Sequence, residues 1–335
     1  MNRSSFAAVV AAIVSFSICA SVAQTSSYPV SDHFPFSERA LFDGTTTDEG
    51  TCRSLKLSVW VHVDGVGDCV RYYAGRLEPG AHPRAMVFLH GDRIAGTRTG
   101  NNLQSLANYV RTTPADIQRQ VDGWAQSVGM PYIFLARPGA YGSSGDHTQR
   151  RRPREIAVVA AAFDAIAVKH QIARFGLAGQ SGGGLLVAAL LAYRRDIDCA
   201  ALSSAASSNQ KRLELLNRRV DTTGYHDSVD ASRLVDQIRK DPPPRIFVIG
   251  DIRDKTVPHA SQLDYLAKLQ SAGLSPVRID GKARDTNFHS LDEHGRMASI
   301  MCMNGQTDEQ IRERLLNSTA RRQFGTASDG TGLAC

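Results

Sequence analysis

Short, continuously apolar segments recur along this chain and are separated by stretches with helical spacing. Apolar runs of this length are typical of strands covered on both faces, as in a parallel sheet. Because such strands alternate with helices after an initial hairpin, we predict an α/β fold with a mostly parallel central sheet and helices on both faces. The hairpin is predicted at residues 56–64 and 69–77, the strands at 85–90, 132–136, 174–178, 198–203, 245–250 and 276–280, and helices at 103–110, 114–128, 156–170, 259–272 and 304–322.

The N terminus has the pattern of an export signal. Arg3 supplies a positive charge, residues 6–20 are apolar, and small residues lead up to Ala23, so we predict a signal peptide at residues 1–23. An uncleaved anchor is the alternative, although the apolar run is shorter than a typical membrane span. After cleavage we expect a secreted or periplasmic protein with no membrane span. Residues 24–50 are polar and expected on the surface, and residues 51–335 are predicted to form one domain.

Cysteine usage agrees with an oxidising compartment. Without the signal, five cysteines remain, and the pairs that close local segments are Cys52–Cys69 and Cys302–Cys335. Cys199 lies in a predicted buried strand and is interpreted as a packed thiol. The sequence has no Cys/His cluster with metal-ligand spacing, and we expect neither a metal nor another cofactor.

The formal net charge of +6 comes from basic residues that are mostly scattered. One run, Arg150-Arg151-Arg152 with Arg154, is concentrated, but no aromatic residues are interleaved with it. We interpret this run as a solvated loop face and expect no nucleic-acid partner. No pattern predicts an oligomeric state.

Residues 179–183 read Gly-Gln-Ser-Gly-Gly and lie between a predicted strand and an apolar helical segment. This matches G-x-S-x-G, in which a serine occupies a sharp strand-to-helix turn and the flanking glycines leave room for the backbone. In a parallel sheet, chemistry gathers at the loops after the carboxyl ends of the strands. Ser181 is therefore the candidate nucleophile.

A serine nucleophile needs a base and an acid that orients the base. Asp251 and Asp254 both follow the predicted strand at residues 245–250. We favour Asp254 because it lies deeper in the loop, whereas Asp251 abuts the strand and is suited to capping loop amides. Aspartates also form turns for purely structural reasons, so the choice of acid stays open.

Three histidines follow these acids, namely His259, His289 and His294. His259 begins a predicted helix close to the acid loop. The segment Ser290-Leu-Asp-Glu has a capping-box pattern, which predicts a helix starting just after Ser290. His289 then lies in the loop after the last strand and His294 lies on the helix, so His289 is the favoured base.

The tetrahedral intermediate of acyl transfer needs hydrogen-bond donors for its oxyanion. We predict the N–H of Gly182, at the start of the helix after Ser181, and the N–H of Asp92, in the turn after residues 85–90. A carboxylate near the oxyanion would repel it. The Asp92 side chain is therefore expected to point away, towards Arg93.

Taken in order, these segments resemble the α/β-hydrolase superfamily over residues 55–300. The matching pieces are His90-Gly91, the elbow, residues 254–258, His289 and residues 137–145, which are similar to an R-G-x-G-x-S loop. Residues 204–244 are too few for a large cap domain, which makes the chain similar to compact esterases, dienelactone hydrolases and prolyl-oligopeptidase-like domains. Asp92 departs from the additional glycines of many esterases, and one extra residue precedes Asp254.

The resemblance and the residues together predict a serine hydrolase that cleaves a carboxylic ester through an acyl-enzyme. Its substrate is expected to be a small ester or a short peptide. Three alternatives remain open: a prolyl-oligopeptidase-like peptidase, an acyltransferase with the same catalytic residues, and a non-catalytic binding protein on the same scaffold.

Overall fold

A computed structural model of the protein describes residues 31–106 and 108–317. The predicted signal peptide and Cys335 lie outside these residues. The main sheet has eight strands. They are β1 (Ser58–Val63), β2 (Val66–Gly75), β3 (His82–Leu89), β4 (Tyr132–Leu135), β5 (Ile172–Gln180), β6 (Ile197–Ser203), β7 (Arg245–Gly250) and β8 (Val277–Asp280).

The helices lie before, between and after these strands. Among residues 31–106 and 108–317, none is both long and apolar enough to cross a membrane. The helices are α1 (Glu38–Asp43), α2 (Glu49–Ser54), α3 (Pro114–Val128), α4 (Pro153–His170), α5 (Gly182–Tyr193), α6 (Asn209–Leu215), α7 (His259–Ser271), α8 (Asp292–Met303) and α9 (Asp308–Asn317).

The strand order across the sheet is β1-β2-β4-β3-β5-β6-β7-β8. Strand β2 is antiparallel to both of its neighbours, β1 and β4, and the remaining pairs are parallel. The sheet confirms the predicted hairpin and the predicted mostly parallel arrangement. A mostly parallel sheet of this kind is what the resemblance to the α/β-hydrolase superfamily implies.

Both faces of the sheet are covered by helices. Alternate residues of β3 divide between two apolar cores: Val87 packs with α4 and α5, and Phe88 packs with α3 and α8. Burial on both faces explains why this strand is continuously apolar in sequence. Helix α5 is itself buried along almost its whole length, between the sheet and neighbouring helices.

Local signals set the ends of α3. Thr113 and Asp116 form a reciprocal capping box, and Pro114 occupies the first turn. Gly129 ends the helix in the left-handed conformation, with φ of 68°. The helix spans the predicted residues because these signals act within one turn of chain.

Three expectations about secondary structure and exposure differ from the structure. The predicted helix at residues 103–110 is wrong, because residues 104–105 pair with residues 94–95 in a short ladder and Tyr109–Arg111 form a 3₁₀ turn. The last helix begins at Asp308 rather than at residue 304. Part of the polar N-terminal segment is not on the surface, since Leu41 is fully buried.

The segment between β6 and β7 contains no large cap. Residues 204–244 hold only the short helix α6 and two 3₁₀ turns, Ala231–Arg233 and Val235–Gln237. The two 3₁₀ turns pack against α5 and α7, and α6 packs against α7.

The described residues contain two disulfides. Cys52–Cys69 is confirmed. The prediction of Cys302–Cys335 is wrong, because Cys302 is bonded to Cys199. Helix α8 packs on β5 and β6, which brings together two cysteines separated by 103 residues in the sequence. Cys199 is buried as expected, but it is not a thiol.

Removing the Cys199–Cys302 bond is expected to cost more stability than removing Cys52–Cys69. In the chain-entropy account, a loop of about 100 residues contributes about 4.7 kcal/mol and one of about 15 residues about 3 kcal/mol. The paired Cys→Ala variants should be compared by urea denaturation under non-reducing conditions. An equal or smaller loss for Cys199 and Cys302 would contradict this ranking.

Candidate active site

Ser181 lies at the turn between β5 and α5, with φ of 55° and ψ of −117°. Backbone conformations of this kind are costly for residues other than glycine and cluster at functional sites. The flanking glycines are required by close approach: a Cβ atom on Gly179 would lie 2.3 Å from the carbonyl oxygen of Gly183. The local geometry is therefore that of a nucleophile elbow.

Neighbouring backbone holds the Ser181 turn in place. Its N–H donates to the Ser203 carbonyl at 2.9 Å, and its carbonyl accepts from Ala206 at 3.4 Å. The residue is half-buried, and its hydroxyl forms no hydrogen bond with the part of the chain that the structure describes. The end of β6 thus fixes the turn, and the Ser181 hydroxyl is not hydrogen-bonded to His289 within the described residues.

His289 and Asp254 are hydrogen-bonded to each other. His289 Nδ1 lies 2.9 Å from Asp254 Oδ2 and 3.0 Å from Oδ1, and both side chains are buried. Asp254 also accepts from the N–H groups of Thr256 and Val257, at 2.8 and 2.9 Å. These bonds hold the carboxylate against one ring nitrogen, so Nε2 is the ring nitrogen left to exchange a proton.

Asp251 makes a different set of contacts. Its carboxylate accepts from the backbone and side chain of Arg253 and from the Ala283 N–H at 2.9 Å. Burial opposes its ionisation, but the bonds to Arg253 and the Ala283 amide hold the pKa of Asp251 below its usual value. Asp251 thus caps loop amides beside the site, and its bonding partners do not include His289.

The other two histidines do not pair with Asp254. His259 begins α7, where its Nε2 lies 3.5 Å from Asp280. His294 is on α8, as predicted, and burial lowers its pKa. Of the three candidate bases, only His289 forms the acid–base pair within the described residues.

Gly182 and Asp92, the predicted oxyanion residues, are in contact. A Cβ atom on Gly182 would lie 2.1 Å from Asp92 Oδ1, so only glycine fits against this carboxylate. Gly182 is the first residue of α5, and an N–H at that position has no acceptor within the helix. The turn after β3 and the start of α5 therefore meet beside Ser181.

The expectation that Asp92 turns towards Arg93 is wrong. Its carboxylate bonds to Arg137 and Arg150 at 2.9 Å each, and lies 3.0 Å from Arg151. Burial opposes ionisation, but the three guanidinium groups hold the pKa of Asp92 well below its usual value. The charge that would repel an oxyanion is thus neutralised by bound cations.

The interpretation of the arginine run as a solvated face is also wrong for its first two members. Arg150 and Arg151 are each 3% exposed, and Arg151 additionally pairs with Asp221 at 3.2 Å. Only Arg152 of the triplet is partly exposed, with Asp227 as its partner. The acidic partners of the buried arginines are far away in the sequence, so no local pattern could reveal them.

Arg137 connects the buried cluster formed by Asp92, Arg150 and Arg151 to α4. Its guanidinium is completely buried, forms two bonds to Glu155 at 2.8 and 3.1 Å, and donates to the His90 carbonyl at 3.1 Å. Two-point pairing of this kind is strong and directional. The turn from His90 to Asp92 is thereby anchored on a buried ionic network that sequence reasoning did not find.

Replacing Asp92 with alanine is expected to destabilise the protein by about 3–5 kcal/mol, because the buried guanidinium groups would lose their shared carboxylate. The matched control is Asp227→Ala, whose partner Arg152 is 31% exposed. Exposed pairs contribute about 0–1 kcal/mol, so a small loss is expected there. Chemical denaturation measures both, and similar losses would contradict the role given to the cluster.

No known protein-family profile matches the chain, and no curated protein matches it. Among solved structures, it is similar to Est1E from Butyrivibrio proteoclasticus, determined with ferulic acid, at 16% identity over 77% of this chain and 98% of that chain (TM-score 0.47). It is also similar to the esterase Pf2001 of Pyrococcus furiosus, at 14% identity over 81% of this chain and 95% of that chain (TM-score 0.48). A third similar structure is the acylaminoacyl peptidase of Pyrococcus horikoshii, at 14% identity over 79% of this chain and 42% of that chain (TM-score 0.48). This chain therefore spans less than half of that peptidase.

Proposed function

We propose that this protein is an exported serine hydrolase that cleaves a carboxylic ester through an acyl-enzyme. The hydrogen bond between His289 and Asp254, in loops that follow β8 and β7, is the observation that carries the proposal. Ser181 follows β5 at the same edge of the sheet. A nucleophile, a base and an orienting acid are what acyl transfer by serine requires.

In the proposed reaction, the Ser181 hydroxyl attacks the ester carbonyl carbon while His289 Nε2 accepts its proton. The amides of Gly182 and Asp92 receive the oxyanion. The carbon–oxygen bond to the alcohol then breaks, and His289 returns the proton to the leaving alkoxide. His289 then takes a proton from a water molecule, whose oxygen attacks the carbonyl carbon of the acyl-serine. The bond between this carbon and Ser181 Oγ breaks, His289 passes the proton to Oγ, and the carboxylic acid leaves.

The buried arginines support the proposed oxyanion site. They neutralise Asp92 and, through Arg137 and Glu155, attach its turn to α4, which fixes this turn beside the start of α5. A hole whose donors are preorganised needs no rearrangement as charge develops on the oxygen. This arrangement offsets the presence of a carboxylate where many esterases have glycine.

Export is part of the proposal. The N-terminal apolar segment and the two disulfides are typical of a protein that folds in an oxidising compartment. Sequencing the N terminus of the protein recovered from the periplasm or the medium tests it. A chain beginning at residue 24 is expected, and a full-length chain retained in the cytoplasm would contradict export.

A substrate panel tests the ester assignment. We expect turnover of 4-nitrophenyl esters of graded acyl length and much slower turnover of aminoacyl 4-nitroanilides. A preference for the anilides would favour the peptidase alternative. Ester products formed with an added alcohol would favour acyl transfer. A protein that hydrolyses neither the esters nor the anilides and does not react with a fluorophosphonate would favour the non-catalytic alternative.

A further inference from the structure

Gln180 is the residue immediately before Ser181, and its side chain is completely buried. The side-chain amide reaches the loop that carries His289. Its Nε2 donates to the His289 carbonyl at 2.8 Å, and its Oε1 accepts from the Leu291 N–H at 3.3 Å. One side chain therefore connects the strand of the nucleophile to the loop of the base on both sides of Ser290.

The two bonds match the chemistry of a primary amide. Among side chains of this length, glutamine carries both a donor and an acceptor at its end, and glutamate does so only when protonated. Both backbone groups are in a buried environment, where losing a partner is costly. The glutamine is thus complementary to this carbonyl and this N–H, and not only to the space they enclose.

Other contacts hold the same loop from different sides. Asp285 accepts from the N–H groups of His289 and Ser290, at 2.9 and 2.7 Å. Phe288 has φ of 53°, and its ring centroid lies 4.1 Å from Cζ of the Arg253 guanidinium. These contacts orient the loop within itself and against the acid loop. The amide of Gln180 joins the loop to the nucleophile strand by two hydrogen bonds.

We propose that Gln180 is a positioning residue that holds the His289 ring where it can exchange a proton with Ser181. It acts through the backbone on both sides of Ser290, and its side-chain hydrogen bonds go to this backbone and not to Asp254 or the imidazole ring. The inference rests on the proposed function, in which His289 exchanges a proton with Ser181. Displacing a catalytic group by about 1 Å costs about 100-fold in rate, so a backbone bond at this point has a large effect on turnover.

The decisive variant is Gln180→Glu, which preserves shape. An ionised carboxylate cannot donate to the His289 carbonyl, whereas a protonated one restores both bonds. Burial raises the pKa of a carboxyl group, which brings this titration towards the working range of the enzyme. We expect kcat to fall about 10–100-fold at pH 8 with KM changed less than 3-fold, and the ratio of variant to wild-type kcat to rise as the pH is lowered.

The segments around the end of β5 carry other titratable groups, and the wild-type protein carries all of them too. The variant-to-wild-type ratio therefore isolates the group at position 180. These groups are Asp254 in the acid loop, Asp285 and His289 in the base loop, His90 and Asp92 after β3, and Asp292, Glu293 and His294 at the start of α8.

Two further variants complete the test. Gln180→Leu is expected to lose activity by a factor that does not change with pH. Gln270→Glu adds the same charge on an exposed face of α7 and is expected to leave the kcat ratio near one at every pH. A pH-independent deficit in Gln180→Glu, or a deficit mainly in KM, would overturn the positioning role.

Hydrogen exchange provides a measurement that does not depend on activity. In Gln180→Glu at pH 8, amides of residues 285–295 are expected to exchange faster than in wild type, whereas exchange in the strands of the sheet should not change. Unchanged exchange there would overturn the inference. If wild-type Ser181 fails to react with a fluorophosphonate while the exchange effect appears, the proposed function fails and the contact between the two elements stands.

Discussion

Replacing Ser181 with alanine is expected to lower kcat for ester hydrolysis about 10⁶-fold and to abolish covalent labelling by a fluorophosphonate. The variant lacks the oxygen that forms the acyl-enzyme, while β5, α5 and the hydrogen bond from its N–H to Ser203 remain. Stability should therefore change little. The effect on rate is large because the remaining groups have no nucleophile to activate.

Ser271→Ala is the matched control, since Ser271 is an exposed serine at the end of α7. It should be labelled and should hydrolyse esters like wild type. Mass spectrometry of the labelled protein should find the adduct on the peptide that contains Ser181. Labelling that persists in Ser181→Ala would show that another residue is the nucleophile.

The acid of the proposed triad gives the second large effect. Asp254→Asn is expected to lower kcat about 10⁴-fold, because an amide facing His289 Nδ1 favours the wrong tautomer of the ring and does not stabilise the imidazolium. The change preserves the size of the side chain. Kinetics with a short 4-nitrophenyl ester, together with a fluorophosphonate labelling rate, measures the loss.

Asp251→Asn separates the two neighbouring acids. Asp251 bonds to Arg253 and Ala283, so we expect a loss of stability of about 1–3 kcal/mol with kcat retained within 10-fold. Denaturation and kinetics of the two variants give opposite patterns if Asp254 orients His289. A 10⁴-fold loss in Asp251→Asn with an active Asp254→Asn would assign the role to Asp251 instead.

Much of the fold could be predicted because its signals are local. The hairpin, the apolar strands and α3 each depend on side chains within one element, such as the cap at Thr113 and the stop at Gly129. The helix predicted at residues 103–110 failed because periodicity alone does not exclude a turn. The capping-box pattern marked the start of α8 correctly, although Ser290 does not provide a side-chain cap.

The candidate site divides in the same way. Ser181, His289 and the two acids were recognisable because each follows a predicted strand. The partners of Asp92, Arg150 and Cys199 could not be recognised, because each partner lies on a segment far away in the chain.

The sequence by itself determined which chemical groups stand at the ends of the strands and in what order, because strand, turn and helix signals act over a few residues. Only the tertiary structure decided which of these groups meet. It paired His289 with Asp254, turned Asp92 onto buried arginines, and brought Gln180 to the base loop. Those choices depend on the packing of distant segments, in which a buried charge or amide must find a partner among whatever groups the fold brings near.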